Sequence, residues 1–357
     1  MSLQGNLKLI RKQFVLDTGP FCFPSSGLTA IFGPSGSGKT TFLRSLAGLE
    51  KKVEGEVTFF GRSWLNQGKA LATHKRGLGY VFQESSLFCH LNVIQNLNYG
   101  LKRSKGPKHI SFDQVTQWLR LHDVLKRDVS NLSGGERQRV AIGCALLSQP
   151  QILMMDEPMA SLDLLSKRSI RPYLERLRDE LKIPILYITH SPAEVECLAD
   201  YVLFMDKGNI TDFSTIEKAL HHEGSPLYKD EGPKSVLPSI VKKHFKNEGL
   251  SLVQSGQAQL YIPKVERNEG ESLRVVIPAK NVSLIKERPC QTTILNYLPV
   301  NIFSIRPFNE SCVLVGLKIK DESWPLMAQI TKRSMNQLNL KEGQSWMAAI
   351  KSASFLD

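Results

Sequence analysis

The segment Gly33-Pro34-Ser35-Gly36-Ser37-Gly38-Lys39-Thr40, continued by Thr41, constrains this chain more than any other. It fits the spacing G-x-x-x-x-G-K-[ST] and follows Leu28-Thr29-Ala30-Ile31-Phe32, an apolar run of the kind buried on both faces of a parallel sheet. A glycine-rich turn between such a strand and a helix lets successive N–H groups face inward around a phosphate. The positive end of the helix points at the same anion. Lys39 would reach the β- and γ-phosphates of a nucleotide, and the Thr40 hydroxyl would sit on Mg²⁺. Further apolar runs at 152–155 and 185–189 alternate with helical patterns at 136–147 and 166–181. That alternation predicts an α/β domain with a parallel sheet.

The run at 152–155 delivers Asp156 and Glu157 to a strand end. Asp156 there suits a Mg²⁺ shell, and Glu157 can polarise an attacking water; an ordinary solvated strand end is the alternative. Leu132-Ser133-Gly134-Gly135-Glu136 reads as a helix start, with Ser133 capping and Glu136 completing a capping box. A well-capped helix would explain the serine and glutamate. Two glycines in a first turn cost about 1 kcal/mol each relative to alanine, and they would let a phosphate approach the backbone closely.

This Leu-Ser-Gly-Gly-Glu segment, with the phosphate loop before it and the Asp-Glu strand after it, resembles the signature of the ABC ATPase family over about residues 1–212. The resemblance implies further roles. Gln83, in Val81-Phe82-Gln83-Glu84, matches the glutamine that contacts Mg²⁺ and the water, which places it with Thr40 and Asp156 as a metal residue. Ser161-Leu162-Asp163 matches the D-loop. His190, after the strand at 185–189, matches the switch histidine that contacts the γ-phosphate. Phe14 is the candidate for stacking on adenine, with a core role as the alternative. The single loop and single signature imply a homodimer in which residues 133–136 act in trans on ATP held by the partner's Lys39. Cys144 stands where the family pattern has arginine, Cys89 where it has proline, and Gln95 where glutamate is common.

The chain has 357 residues, enough for two domains. Its 41% hydrophobic and 22% charged residues fit a globular protein. No run approaches the roughly 18–20 apolar residues of a membrane span, and Met1-Ser2-Leu3-Gln4-Gly5 lacks the basic-then-apolar pattern of a secretory signal. The six cysteines are scattered without a CxxC pair, which argues against a disulfide scaffold or zinc knuckle and for a reducing compartment. The net charge of +12 is spread along the chain, so specific nucleic-acid binding is not expected.

Residues 213–247 read as a helical and irregular connector. Beyond it, alternation at Val313, Val315, Leu317 and Ile319 predicts a strand, as do 273–277 and 345–355, with one short helix around 325–338. The expected organisation is therefore an α/β P-loop ABC ATPase cassette with a helical subdomain and connector (1–232). A linker and start of a β-rich region (233–288) and a small all-β, OB-like domain (289–357) follow. The lone cassette resembles the energising subunit of a binding-protein-dependent importer. Segments 277–284, 291–298 and 349–353 resemble the ATP-binding subunits of molybdate importers and their oxyanion-binding Mop/TOBE domain. That resemblance implies Thr292, Thr293, Lys351 and Ser352 as oxyanion candidates, although Leu295 stands where some relatives carry arginine. ATP and Mg²⁺ are the implied ligands. Permease subunits and an extracytoplasmic binding protein are the implied partners, at the cytoplasmic face of the membrane. An importer ATPase for sulfate, tungstate or ferric iron, or an oxyanion-sensing regulatory module, are the other readings.

Overall fold

The computed structural model describes residues 2–11, 13–104, 109–221, 225–228, 232–319, 325–351 and 354–355. It divides into two compact units, Met1–Thr215 and Ile216–Asp357. In chain order the first unit holds β1 (Leu3–Arg11), β2 (Phe14–Phe23), β3 (Gly27–Phe32), α1 (Lys39–Ala47), β4 (Glu54–Phe59), β5 (Arg62–Asn66), β6 (Lys69–Ala70) and β7 (Leu78–Val81). There follow α2 (Val93–Arg103), α3 (Phe112–Trp118), α4 (Gly134–Leu147), β8 (Ile152–Asp156), α5 (Leu164–Glu180), β9 (Pro184–Thr189), α6 (Pro192–Leu198), β10 (Tyr201–Asp206) and β11 (Asn209–Thr215).

The apolar runs at β3, β8 and β9 become interior strands of a sheet ordered β11-β10-β3-β9-β8-β7. Its strands are parallel except β11, which returns antiparallel to β10. Every residue of β8 and β9 is buried, which is why neither shows polar alternation. A second, antiparallel sheet is ordered β2-β1-β4-β5-β6. Helix α1 contributes Phe42, Leu43 and Leu46 to the core these two sheets share, where they meet Leu7, Phe23 and Trp64 from one sheet and Ile31, Leu186 and Leu203 from the other. Each such side chain stabilises the fold by about 1.5–3 kcal/mol, so the helix that follows the phosphate loop is anchored along its length.

The expected helical subdomain forms around α2, α3 and α4. Each starts on a capping box, Asn92 with Gln95, Ser111 with Gln114, and Ser133 with Glu136, which satisfies two orphan backbone donors reciprocally. The backbone of α4 comes close to its neighbours at Gly143, where a Cβ would sit 2.9 Å from Leu97 Cδ2 and 3.3 Å from Val115 Cγ1.

The second unit holds α7 (Ile216–His221), β12 (Lys234–Phe245), β13 (Leu250–Ser255), β14 (Ala258–Pro263), β15 (Ser272–Pro278), β16 (Val282–Ile285) and β17 (Asn296–Pro307). β18 (Cys312–Ile319), β19 (Pro325–Thr331), α8 (Lys332–Gln337), β20 (Ser345–Ile350) and β21 (Ser354–Phe355) complete it. Among the described residues its strands form two five-stranded sheets, β14-β13-β12-β15-β21 and β16-β20-β17-β18-β19. Leu237, Val253, Val275, Val300, Val315 and Trp346 belong to one apolar core.

Three expectations are corrected here. The stretch read as connector ends in β12, a 12-residue strand inside its sheet. Pairing with β13 begins only at Ile240, so at Pro238 the strand has a partner on one side only. The helix expected around 325–338 is helical only at α8; Pro325 to Thr331 pair in register with β18 instead, tertiary pairing overriding local preference. The single strand expected at 345–355 is two, β20 pairing with β17 and β21 with β15 in the other sheet.

Candidate functional site

Parallel strands place their carboxyl ends on one edge, and the pairing register shows which residues arrive there together. Phe32 pairs with Thr189, Asp156 with Ile188, and Val81 with Met155. The chain therefore leaves β3 into Gly33, β8 into Glu157, β9 into His190 and β7 towards Gln83 along a single edge. Open α/β sheets bind ligands at this edge.

Gly36 and Gly38 adopt φ of +79° and +100°, a region closed to most L-residues, and the turn they allow ends directly in α1. Lys39 Nζ donates to the carbonyls of Gly33 and Pro34, both at 2.9 Å. Burial lowers the Lys39 pKa, opposed by the charges of Glu157 and Asp156. Pro34, Ser35 and Gly36 form an exposed rim, whereas the Ser37 hydroxyl is buried and has no hydrogen-bond partner among the described residues. An unsatisfied buried hydroxyl costs about 1–3 kcal/mol, which a polar ligand in the loop would relieve. Thr41 follows in the first turn of α1, its carbonyl accepting from the Ser45 hydroxyl. The Phe14 ring lies directly against Gly38, where a Cβ would overlap its edge. Phe14 thus borders the loop and also packs on the shared core.

Thr40 Oγ1 donates to Asp156 Oδ1 at 2.9 Å, and Tyr80 Oη donates to Asp156 Oδ2 at 3.1 Å. Burial raises the Asp156 pKa, and the bonds from Thr40 and Tyr80 oppose the rise. A hydroxyl beside a carboxylate is the hard-oxygen donor set that Mg²⁺ takes, so these residues fit that ion. Glu157 turns out of the strand at φ +46°, a strained setting for a non-glycine residue of the kind that clusters at functional sites. Its Oε2 lies 3.4 Å from His190 Nδ1. Gln83 is exposed and, among the described residues, makes no hydrogen bond to Asp156 or Glu157.

Ser133 accepts from the Glu136 amide at 3.2 Å, and Glu136 Oε2 accepts from the Ser133 amide at 2.8 Å. The backbone bond from Ser133 holds the Glu136 carboxyl below its ordinary value. Gly134 lies against Leu162 and Gly135 against Ser166, so the signature turn sits beside the Asp163 segment. Asp163 caps α5, accepting from Ser166 N at 2.9 Å and Ser166 Oγ at 2.7 Å, which lowers its pKa. Among the described residues, no hydrogen bond or ion pair joins 133–136 to the loop 33–40.

Among the described residues, no hydrogen bond joins the C-terminal candidates to one another. Thr292 Oγ1 accepts from Ile294 N at 3.1 Å and from Tyr297 Oη at 3.0 Å, while Thr293 is exposed. The Lys351 amide donates to the Asn281 carbonyl, and Ser352 lies outside the described residues. Sequence reasoning missed Tyr80 and also Glu194, whose buried carboxylate accepts from Tyr187 Oη at 2.9 Å and Thr189 Oγ1 at 2.7 Å beside His190. Neither carries a motif; the only signal for Tyr80 was a polar tip on an otherwise apolar strand, and Glu194 is an acidic residue in the first turn of α6.

Residues 16–160 match the ABC transporter family and residues 292–356 the TOBE domain family. The chain is 41% identical to the molybdenum import ATP-binding protein ModC of Methylococcus capsulatus, over 94% of each chain. It is 42% identical to the protein of that name from Pseudomonas aeruginosa, over 93% of each. Among solved structures, cbiO1 of Clostridium perfringens, part of the ABC transporter complex cbiONQ, superposes with a TM-score of 0.54 at 25% identity, over 62% of this chain and 90% of the other. An ATP-binding cassette solved as a dimer in a post-hydrolysis state with ADP and Pi shares the fold, with a TM-score of 0.50 at 21% identity over 60% and 98%.

Proposed function

This chain belongs to the family of ABC-transporter ATP-binding subunits, and from that premise we propose that it is the ATP-hydrolysing subunit of a molybdate importer. The observation that carries the reading is the convergence on one sheet edge of the Lys39 loop, the Thr40–Asp156 pair and the Glu157–His190 pair. The resemblance to molybdenum import proteins over nearly the whole chain supplies the substrate.

In this mechanism the backbone N–H groups of the loop 33–41, which Pro34 lacks, and the Lys39 ammonium hold the β- and γ-phosphates of ATP, and Phe14 covers the adenine. Thr40, Asp156 and Gln83 hold Mg²⁺, which when bound neutralises charge on the phosphate oxygens. Glu157 accepts a proton from the attacking water as its oxygen bonds to the γ-phosphorus and the bond to the β-γ bridging oxygen breaks, giving ADP and phosphate. His190, 3.4 Å from Glu157, contacts the γ-phosphate and keeps the carboxylate oriented. Residues 133–136 close over the nucleotide from a second copy, and Asp163 lies in the same dimer face. The homodimer energises permease subunits at the cytoplasmic face of the membrane, supplied by an extracytoplasmic oxyanion-binding protein. No helix among the described residues is long and apolar enough to cross a membrane. Thr292, Thr293, Lys351 and Ser352 are proposed to hold oxyanion in the C-terminal domain.

The test is Glu157→Gln in the full chain assembled with its permease. ATP binding should persist, while hydrolysis falls about 10²–10⁴-fold, the range for loss of a positioned base, and molybdate uptake stops. Uptake that survives with only its regulation altered would favour an oxyanion-sensing module and overturn the motor.

A further inference from the structure

Tyr80 stands on β7 and pairs with Met154 of β8, two residues before Asp156. With a side-chain period of two, Met154 and Asp156 share a face of β8, so Tyr80 is directed to the face that carries the Asp156 carboxylate. Its hydroxyl reaches Asp156 Oδ2 at 3.1 Å while Thr40 occupies Oδ1. The ring also packs on Phe82, with centroids 4.5 Å apart, and Phe82 immediately precedes Gln83. One side chain thus touches the carboxylate offered to the ion and braces the segment that carries the glutamine.

From this geometry we infer that Tyr80 is a positioning residue for the divalent cation, an inference that rests on the nucleotide-hydrolysis reading above. By donating to Oδ2 it stops the Asp156 carboxylate from rotating and leaves the Oδ1 edge, beside Thr40, to face the metal. Through Phe82 it keeps the start of the Gln83 segment in place. Loss of a partner that orients a ligating carboxylate typically costs about 10–100-fold in metal affinity or activity.

Tyr80→Phe removes the hydroxyl and keeps the ring that packs on Phe82. Mn²⁺ binding to the ATP-loaded chain, followed by the electron paramagnetic resonance of free Mn²⁺, should weaken by about tenfold. The Mg²⁺ concentration for half-maximal hydrolysis should rise in parallel, with kcat at saturating Mg²⁺ almost unchanged. Unaltered Mn²⁺ affinity, or a fall in kcat with unaltered affinity, overturns the assignment. If the unsubstituted chain binds no Mn²⁺ with ATP, the hydrolysis reading fails and this inference fails with it.

Discussion

The Thr40 hydroxyl and Asp156 Oδ1 lie 2.9 Å apart although 116 residues separate them in the chain. One stands in the first turn of α1 and the other at the last position of β8, so this bond joins the phosphate helix to the strand that delivers both acidic residues. The bond forms because β3, β9 and β8 are consecutive neighbours in a parallel sheet and end at the same level.

The proposed trans arrangement of the signature predicts complementation. Homodimers of Lys39→Ala and of Ser133→Arg should each fail to hydrolyse ATP, because every site lacks either its cradle or its cap. Mixed dimers contain one site with both intact, so co-assembly should restore part of the activity in a phosphate-release assay. No recovery on mixing, with dimers confirmed by light scattering, would mean that both elements act within one chain.

Phe14 lies against Gly38 and so borders the loop that would hold the phosphates. Stacking of a base on an aromatic ring contributes about 1–3 kcal/mol. Phe14→Ala should therefore raise the Kd for ATP roughly tenfold or more, with kcat at saturation changed much less. Calorimetric titration beside steady-state kinetics separates the two; an unchanged Kd would leave Phe14 a core residue only.

Arg76 is buried without a carboxylate partner among the described residues. Its guanidinium donates to the carbonyls of Leu71, Leu46 and Trp64 and lies over the Trp64 ring, and burial draws its pKa down to about 10. Leu46 is in the last turn of α1, so Arg76 places a positive charge at the negative end of the phosphate helix. Arg76→Ala should destabilise the fold by about 3 kcal/mol, by stranding buried carbonyls and opening a cavity. Thermal unfolding should show the loss as a fall in Tm of several degrees.

Glu50 accepts from Arg44 Nε at 2.8 Å and Arg11 Nη2 at 2.6 Å. Burial pushes its carboxyl up, but the two guanidinium bonds outweigh burial and hold it below its ordinary value. A carboxyl lowered in the folded state stabilises the protein above the unfolded pKa of about 4.3, and that contribution disappears as pH falls through the lower folded value. Glu50→Gln should cost about 1 kcal/mol at pH 7, and the two proteins should converge in urea titrations below about pH 4. A constant gap down to pH 3 would exclude the ion pairs as the cause.

The local features were legible because each is specified over a few residues. The glycine spacing of 33–40, the unbroken apolar runs of β3, β8 and β9, and the Ser133–Glu136 capping box all follow from short-range sterics and hydrogen bonding. The same reasoning failed at β12 and at Pro325 to Thr331 in β19. There a neighbouring strand supplied hydrogen bonds that no local pattern announces.

The chain's sequence alone determined that a phosphate cradle follows a buried strand, that a capped glycine pair opens α4, and that two carboxylates end β8. Backbone conformation and burial at these points depend on immediate neighbours. Only the tertiary structure decided that Tyr80 donates to Asp156, that Glu157 meets His190, and that Phe14 touches Gly38. Those contacts depend on which strands lie side by side and in what register, and that order is settled when the whole core is buried at once.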